Sequence, residues 1–376
     1  MKRHFIWGAL AVAGALFASC DRGVEAQLQQ MTLQQKVGQL FYIRPESLDT
    51  TIQYGTSADL PSIALQEVNA SMRALAEAYP PGGIVLFGHN LRDKEQLSRF
   101  VTDLRALPGE PLLCVDEEGG RVARLANNEA FGLPRYESMA AFKSPQEVHE
   151  AAFTIGSYLS RFGFDVDFAP VADVNTNPEN IVIGNRAFSD KPEVAARMVK
   201  SYVKGLRKAG VQGCLKHFPG HGDTKADTHF GYAVTGKTWE EMAACEMIPF
   251  KAGIRAGAPM VMTAHISAPA VTGSDVPSTL SSVVLEEKLR GELGFKGVII
   301  TDAMEMGAIT RQYPTADACV LALEAGVDVL LCVKDYPAAF EAVLAAVQEG
   351  RLSEERLDQS VRRILRLKRD ALAARK

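Results

Sequence analysis

The sequence predicts one α/β domain, a single (β/α)8 TIM-type barrel. Three observations carry that expectation. Eight short apolar segments rich in Val, Ile, Leu and Phe recur along the chain, as strands buried on both faces do. Helical patterns separate most of them, and repeated strand–helix units imply parallel strands. No glycine-rich nucleotide fingerprint follows any of these strands, which counts against an open dinucleotide-binding sheet.

In chain order, Thr32 and Gln35 form the T-x-x-Q pattern of a capping box, opening a helix toward Gln39. The strand candidates follow: Leu40–Ile43, Gly83–Phe87, Leu112–Asp116, Phe164–Ala169, Gly213–Lys216, Met260–Thr263, Gly297–Asp302 and Val327–Cys332. A polar, irregular stretch from Pro45 to Pro61 reads as an insertion after the first strand that shapes the rim of a pocket. Pro192–Ala209 reads as a helix, with Asp190 as its N-cap, Pro192 in the first turn and Gly210 just past the end. In the last helix Ser353 is the cap, Glu354 and Glu355 suit the first turn, and Leu357, Val361, Ile364 and Leu365 make one apolar stripe.

Composition narrows the function. An apolar fraction of 47% and a charged fraction of 23% are those of a globular protein, and a net charge of −4 gives no basic footprint for nucleic acid. Lys2 and Arg3 precede an apolar run from Phe5 to Phe17 that is short for a membrane span. Ala18-Ser19-Cys20 then resembles a bacterial lipobox. The expected organisation is a lipoprotein signal over residues 1–20, a tether over 21–30 and a catalytic domain over 31–376. A lipid on Cys20 would hold the exported protein on a bacterial membrane; an ordinary cleaved signal and an uncleaved anchor are the alternatives. Cys114, Cys214, Cys245, Cys319 and Cys332 are odd in number and irregularly spaced, which signals neither a disulfide framework nor a zinc ribbon.

Catalytic groups of (β/α)8 enzymes sit where strands end and the following loops begin. Polar residues gather at those places here: Asp116 with Glu117, Glu118 and Arg124; Asp173 and Arg186; Lys216 and His217; His265; and Asp302. The richest stretch is KHFPGHGDTKADTH, Lys216 to His229. Pro219, Gly220 and Gly222 make it a loop. Its side chains admit a metal site built on His217, His221, Asp223, Asp227 and His229. They also admit an acid/base pair in which Asp227 accepts from Nδ1–H of His229 and leaves Nε2 for proton transfer. A solvated polar loop is the third reading.

The KHFPGHGDTKADTH stretch resembles the signature of glycoside hydrolase family 3 in its β-N-acetylglucosaminidase branch. DEEGGRVARL (116–125), IGNRAF (183–188) and GVIITDAMEMGAI (297–309) match further motifs of that branch in the same order, and MTLQQKVGQL and the closing helix fit too. Thr228 stands where Ser is commoner. The resemblance implies a retaining exo-β-N-acetylglucosaminidase that needs no cofactor or metal. Asp302 matches the nucleophile, His229 the general acid/base and Asp227 its orienting partner. Asp116, Arg124, Arg186, Lys216 and His217 match residues that bind a terminal N-acetylglucosamine. Glu117, Glu118 and Glu305 are expected to be supporting groups. The substrate class implied is peptidoglycan fragments or related glycans. A β-glucosidase, a phosphorylase and a non-catalytic glycan-binding lipoprotein are the alternatives. The extra C-terminal domain of many family members is not expected.

Overall fold

A computed structural model describes residues 22–52, 64–224 and 233–375. Eight parallel strands close into a barrel, each paired with its neighbours in sequence. They are β1 (Phe41–Ile43), β2 (Gly83–Leu86), β3 (Leu112–Val115), β4 (Val166–Asp167), β5 (Gln212–Phe218), β6 (Met260–Thr263), β7 (Val298–Ala303) and β8 (Val329–Leu331). The first and last strands close the ring through Phe41 beside Leu330 and Tyr42 beside Leu331. Every strand expected from the sequence is present. The eight are buried along almost their whole length because a barrel has no solvent-facing sheet.

Helices wrap the barrel, and the caps explain where several begin. Thr32 and Gln35 do form a reciprocal capping box at the start of Leu33–Gln39. Ser353 accepts from the Arg356 amide, and Leu357, Val361, Ile364 and Leu365 are buried against the barrel. One cap differs from expectation. The helix Pro192–Lys208 is preceded by Lys191, and no side chain caps it. Ser189 Oγ instead accepts from the Lys191 amide at 3.0 Å, so Asp190 is one position too early to reach the helix.

The expected tether also needs correction. Residues 22–30 are helical, and Val24 and Leu28 are buried in the main core. Their four-residue spacing puts both on one helix face, which packs on the barrel instead of trailing from it. Cys20 lies outside the described residues. Among the described residues no helix is long and apolar enough to cross a membrane. Cys114, Cys214, Cys319 and Cys332 are buried and Cys245 is partly buried, all as free thiols. After β1, residues 45–48 form a tight helical turn that buries Glu46, and residues 53–61 of the expected insertion lie outside the described part.

At the opposite end from the strand termini that face the loops below, Lys368 is buried and donates to the Gly109 carbonyl at 2.7 Å. Burial pulls its ammonium down to about 7, although Glu110 and Asp165 oppose the shift. The neutral amine is therefore favoured in the fold and the charged amine in the unfolded chain. The resulting penalty is absent above the unfolded value of 10.5, grows as pH falls toward 7, and is complete below it. Lys368→Met should raise Tm most at pH 6, by the equivalent of roughly a few kcal/mol of stability. The gain should shrink steadily as pH rises toward 10. A gain independent of pH would show that Lys368 is charged in the fold.

Candidate active site

The loops that follow the strands enclose a cleft of about 680 Å³. That volume is within the range of small-molecule sites. Its walls carry Asp116, Glu118, Arg124, Arg186, Lys216, His217 and Asp302 together, and Arg44, Phe87, His221 and Glu305 beside them. Of the residues expected to bind or react, these are brought to one place from β3, the β4 loop, β5 and β7. Asp227 and His229 lie outside the described residues.

Two register shifts aim the most important side chains. Between Leu215 and Phe218 β5 spends three residue steps against two on β6, so Lys216 and His217 sit at the irregularity. Between Ile300 and Ala303 β7 does the same against β8, with Thr301 and Asp302 at the irregularity. An extra residue in a strand bends it and redirects its side chains, a device common near reactive sites. Asp302 is held by the Ala303 amide, which donates to Oδ1 at 2.8 Å. His265 is buried behind this corner, with Nε2 3.0 Å from the Ala303 carbonyl and Nδ1 2.8 Å from Thr279 Oγ1. It supports the residue after Asp302 and does not line the cleft.

The stretch after β3 alternates as a strand must. Asp116 and Glu118 face the cleft, while Glu117 faces away. Glu117 accepts from the Leu125 and Ala126 amides at 2.8 Å each and from Tyr158 Oη at 2.8 Å. It thus fastens the loop that carries Arg124. The turn itself needs Gly119, at φ +93, a conformation side chains rarely adopt. A similar need explains Gly222: a Cβ there would lie 1.9 Å from the Val174 carbonyl oxygen, so only glycine lets the two loops touch.

Glu118 proves to be the hub of the charged wall. Arg186 donates to both of its oxygens, Nε at 2.8 Å and Nη2 at 2.7 Å, and Lys216 Nζ lies 2.6 Å away. Lys216 also binds Asp116 at 2.7 Å, and Arg124 reaches the other Asp116 oxygen at 3.4 Å. Burial pushes the Glu118 carboxyl up, but the Arg186 and Lys216 charges outweigh it and hold it far below the usual carboxylate range. Asp116 is likewise held low by Lys216 and Arg124 against burial. Burial pulls the Lys216 ammonium down, and the two carboxylates more than reverse that. Each of these shifts favours the ionised form, as does that of Arg186, which the neighbouring carboxylates raise against burial.

Another part of the wall is built from Arg44 and Phe87, to which sequence reasoning gave no role in the site, and Glu305, which was expected to be a supporting group. Arg44 pairs with Glu305, and its guanidinium lies 4.5 Å over the Phe87 ring. Arg124 approaches the same ring at 5.7 Å. Burial raises the Glu305 carboxyl even though Arg44 opposes the shift. Among the described residues, the cleft is lined by Arg44, Arg124, Arg186 and Lys216 and by Asp116, Glu118, Asp302 and Glu305, four basic and four acidic side chains. Among the described residues no group of three His, Cys, Asp or Glu side chains is arranged to hold a metal ion. His217 instead leans on Asp173, and His221 Nδ1 lies 2.7 Å from Thr224 Oγ1.

Comparison with known proteins agrees with this geometry. Residues 32–367 match the family described as glycosyl hydrolase family 3, N-terminal domain. The chain is 33% identical over 334 residues to beta-hexosaminidase A of Pseudoalteromonas piscicida, covering 81% of this chain and 56% of that protein. It is 36% identical over 296 residues to a beta-hexosaminidase of Stenotrophomonas maltophilia, covering 77% and 86%. The structure of a glycoside hydrolase family 3 beta-N-acetylglucosaminidase from Paenibacillus sp. superposes with a TM-score of 0.82 at 38% identity. That match covers 91% of this chain and 63% of the other. The chain therefore spans less than two thirds of the Pseudoalteromonas and Paenibacillus proteins.

The hub makes a stability prediction. Removing one partner from a buried ionic cluster leaves the others uncompensated, at a cost of about 3 kcal/mol or more. Glu118→Gln should lower the urea unfolding midpoint accordingly. Lys216→Met in the same background should restore part of the loss, because it removes the stranded charge. An unchanged midpoint in Glu118→Gln would show that Lys216 and Arg186 are held by other groups.

Proposed function

The chain belongs to glycosyl hydrolase family 3, and from that premise we propose that it is an exo-acting, retaining β-N-acetylglucosaminidase. The observation that carries the proposal is the company Asp302 keeps. It stands at the bulged end of β7, in one cleft with Asp116, Arg124, Arg186, Lys216 and His217. These are donors and acceptors suited to fixing the hydroxyls of one terminal sugar, and a site that misses such a partner loses discrimination. The balance of fixed charge in the cleft suits a neutral sugar in the subsite they line. The beta-hexosaminidase names of the relatives point to the same bond.

In the proposed reaction the Asp302 carboxylate attacks the anomeric carbon. His229, oriented by Asp227, protonates the departing glycosidic oxygen, so the glycosidic bond breaks as the glycosyl–aspartate bond forms. The same imidazole then takes a proton from water. The water oxygen displaces Asp302, and the sugar leaves with its configuration retained. Imidazole suits both steps because its ordinary pKa is near neutral. A cleft of this kind accepts terminal N-acetylglucosamine from peptidoglycan fragments or related glycans.

One set of assays tests the reading. Asp302→Ala should lose nearly all turnover of an aryl N-acetylglucosaminide, about 10³-fold or more, with the fold intact. A 2-deoxy-2-fluoro sugar should label Asp302 alone. His229→Ala should lose far more activity on disaccharides than in glycosylation by activated aryl glycosides, since acid assistance matters most for poor leaving groups. Ordinary turnover by Asp302→Ala would overturn the mechanism. Equal loss for good and poor leaving groups in His229→Ala would reduce that residue to a binding role.

We also propose that Cys20 carries a lipid, which would put the enzyme at an exported membrane face. Support comes from Lys2 and Arg3, the apolar run and Ala18-Ser19-Cys20. Full-length protein expressed in a bacterial host should fractionate with membranes and incorporate labelled fatty acid. Cys20→Ser should stay unprocessed or appear in the soluble fraction. A Cys20→Ser protein that is processed and membrane-bound as before would remove the lipid anchor.

A further inference from the structure

Asp173 belongs to none of the sugar-contacting groups proposed above, yet it is one of the most heavily engaged carboxylates near the cleft. It follows β4 on a segment pinned to β5, where the Ala172 amide donates to the Lys216 carbonyl at 2.6 Å. Its side chain is buried and receives three N–H groups. The His217 amide lies 3.2 Å from both oxygens, His217 Nδ1 lies 2.8 Å from Oδ2, and the His221 amide donates to Oδ1 at 2.7 Å. Burial pushes this carboxyl up, but the His217 ring and the His221 amide outweigh it and hold it below the usual range.

An ionised carboxylate only accepts. Nδ1 of His217 must therefore carry a hydrogen. The other face of the ring gives the same answer independently. Nε2 lies 3.4 Å from Nη2 of Arg186, a guanidinium that only donates. A hydrogen on Nε2 would point at another donor and at a positive charge. The ring is thus squeezed from both sides into one tautomer, and Nε2 lines the cleft with a lone pair.

We propose that Asp173 is a positioning residue that locks His217 in the Nδ1–H tautomer. This wall of the cleft then selects a sugar hydroxyl that donates a hydrogen bond over one that must accept. The 3.4 Å contact to Arg186 is long, so a hydroxyl can compete for the lone pair. The same carboxylate fixes the His221 backbone, which ties the end of β5 to the segment 218–224. The selection of a sugar hydroxyl rests on the glycosidase reading; the tautomer itself does not.

The test separates the two. In the sugar-free full chain labelled with ¹⁵N-histidine, the His217 signals are those lost in His217→Gln. At pH 7 they should show a protonated Nδ1 and an unprotonated Nε2. The reverse tautomer, or a doubly protonated ring, would overturn the lock, and this reading needs no variant of Asp173 to fold. Asp173→Asn cannot accept from all three N–H groups, and it can present an NH₂ to Nδ1 while Arg186 still faces Nε2, so neither tautomer is held. Its His217 signal should lose the single Nδ1–H form and show the two tautomers mixed. KM for an aryl N-acetylglucosaminide should rise about tenfold, roughly the value of one hydrogen bond to a site left with the wrong partner, while kcat falls much less. His217→Gln should show a similar rise, and the double variant no further one. A His217 ring released from the Nδ1–H form with unchanged KM would overturn the selective role. A wild type with the expected tautomer and no glycosidase activity would sink the proposed function and leave the lock supported.

Discussion

The site depends on one physical constraint: two carboxylates and two cations are held together where water hardly reaches. Glu118 is 1% exposed and Lys216 2% exposed. Charges taken so far from water are tolerated only when each finds an opposite charge and good hydrogen-bond geometry. Glu118 meets that condition by gripping Arg186 with both oxygens and sharing Lys216 with Asp116. Three separate parts of the barrel supply the partners, so the cluster forms only when β3, β5 and the β4 loop are in register. Chain topology and electrostatics thereby enforce the same arrangement.

Helices outside the barrel reinforce it. Tyr202, on Pro192–Lys208, places its hydroxyl 3.2 Å from both the Glu117 and the Glu118 carbonyl oxygens. Tyr158, on Pro145–Arg161, donates to the Glu117 carboxylate. Glu117 faces outward to the helices, and its neighbours Asp116 and Glu118 face inward to the cleft. The two-residue period of a strand does this without special geometry. Packing of the outer layer is in this way transmitted to the charged wall through one short segment.

All eight strands were legible in the sequence, because each is a short apolar run between turn-forming residues; the alternation of Glu117 and Glu118 was not read from it. Thr32, Ser353 and Gly210 announced helix ends by residue type alone. Apart from the Asp190 cap, which fails locally, the misread features depend on partners distant in the chain. Residues 22–30 look like a polar tether until Val24 and Leu28 are seen to share a face and find the barrel. Asp190 is a good cap residue in the wrong place, since the chain turns one residue later. Glu118 was expected to be a supporting group, and Asp173 was one strand-end acid among several with no role assigned. Their weight comes from Arg186, 68 residues away, and from His217, 44 residues away. The bulges at Lys216–His217 and Thr301–Asp302 were hidden for the same reason: register is a property of two strands, and neither sequence states it alone.

The saturation of the charged wall has a consequence for what the cleft can discriminate. Lys216 is already shared by two carboxylates, and Arg186 is committed to Glu118 through two of its nitrogens. Their charges are largely spent inside the wall. What remains for an incoming molecule is direction: N–H groups and carboxylate lone pairs fixed at known points, with Asp173 setting the sense of His217. An anion entering this subsite would meet carboxylates as often as cations, whereas a neutral polyol can satisfy donors and acceptors alike without disturbing any pair. Rigid, neutralised polarity discriminates by the pattern of hydroxyls. Under the proposed glycosidase reading, that is the property a sugar subsite beside a nucleophile requires, because the substrate would be held by geometry and the charge developing at the reacting carbon left for Asp302 to meet.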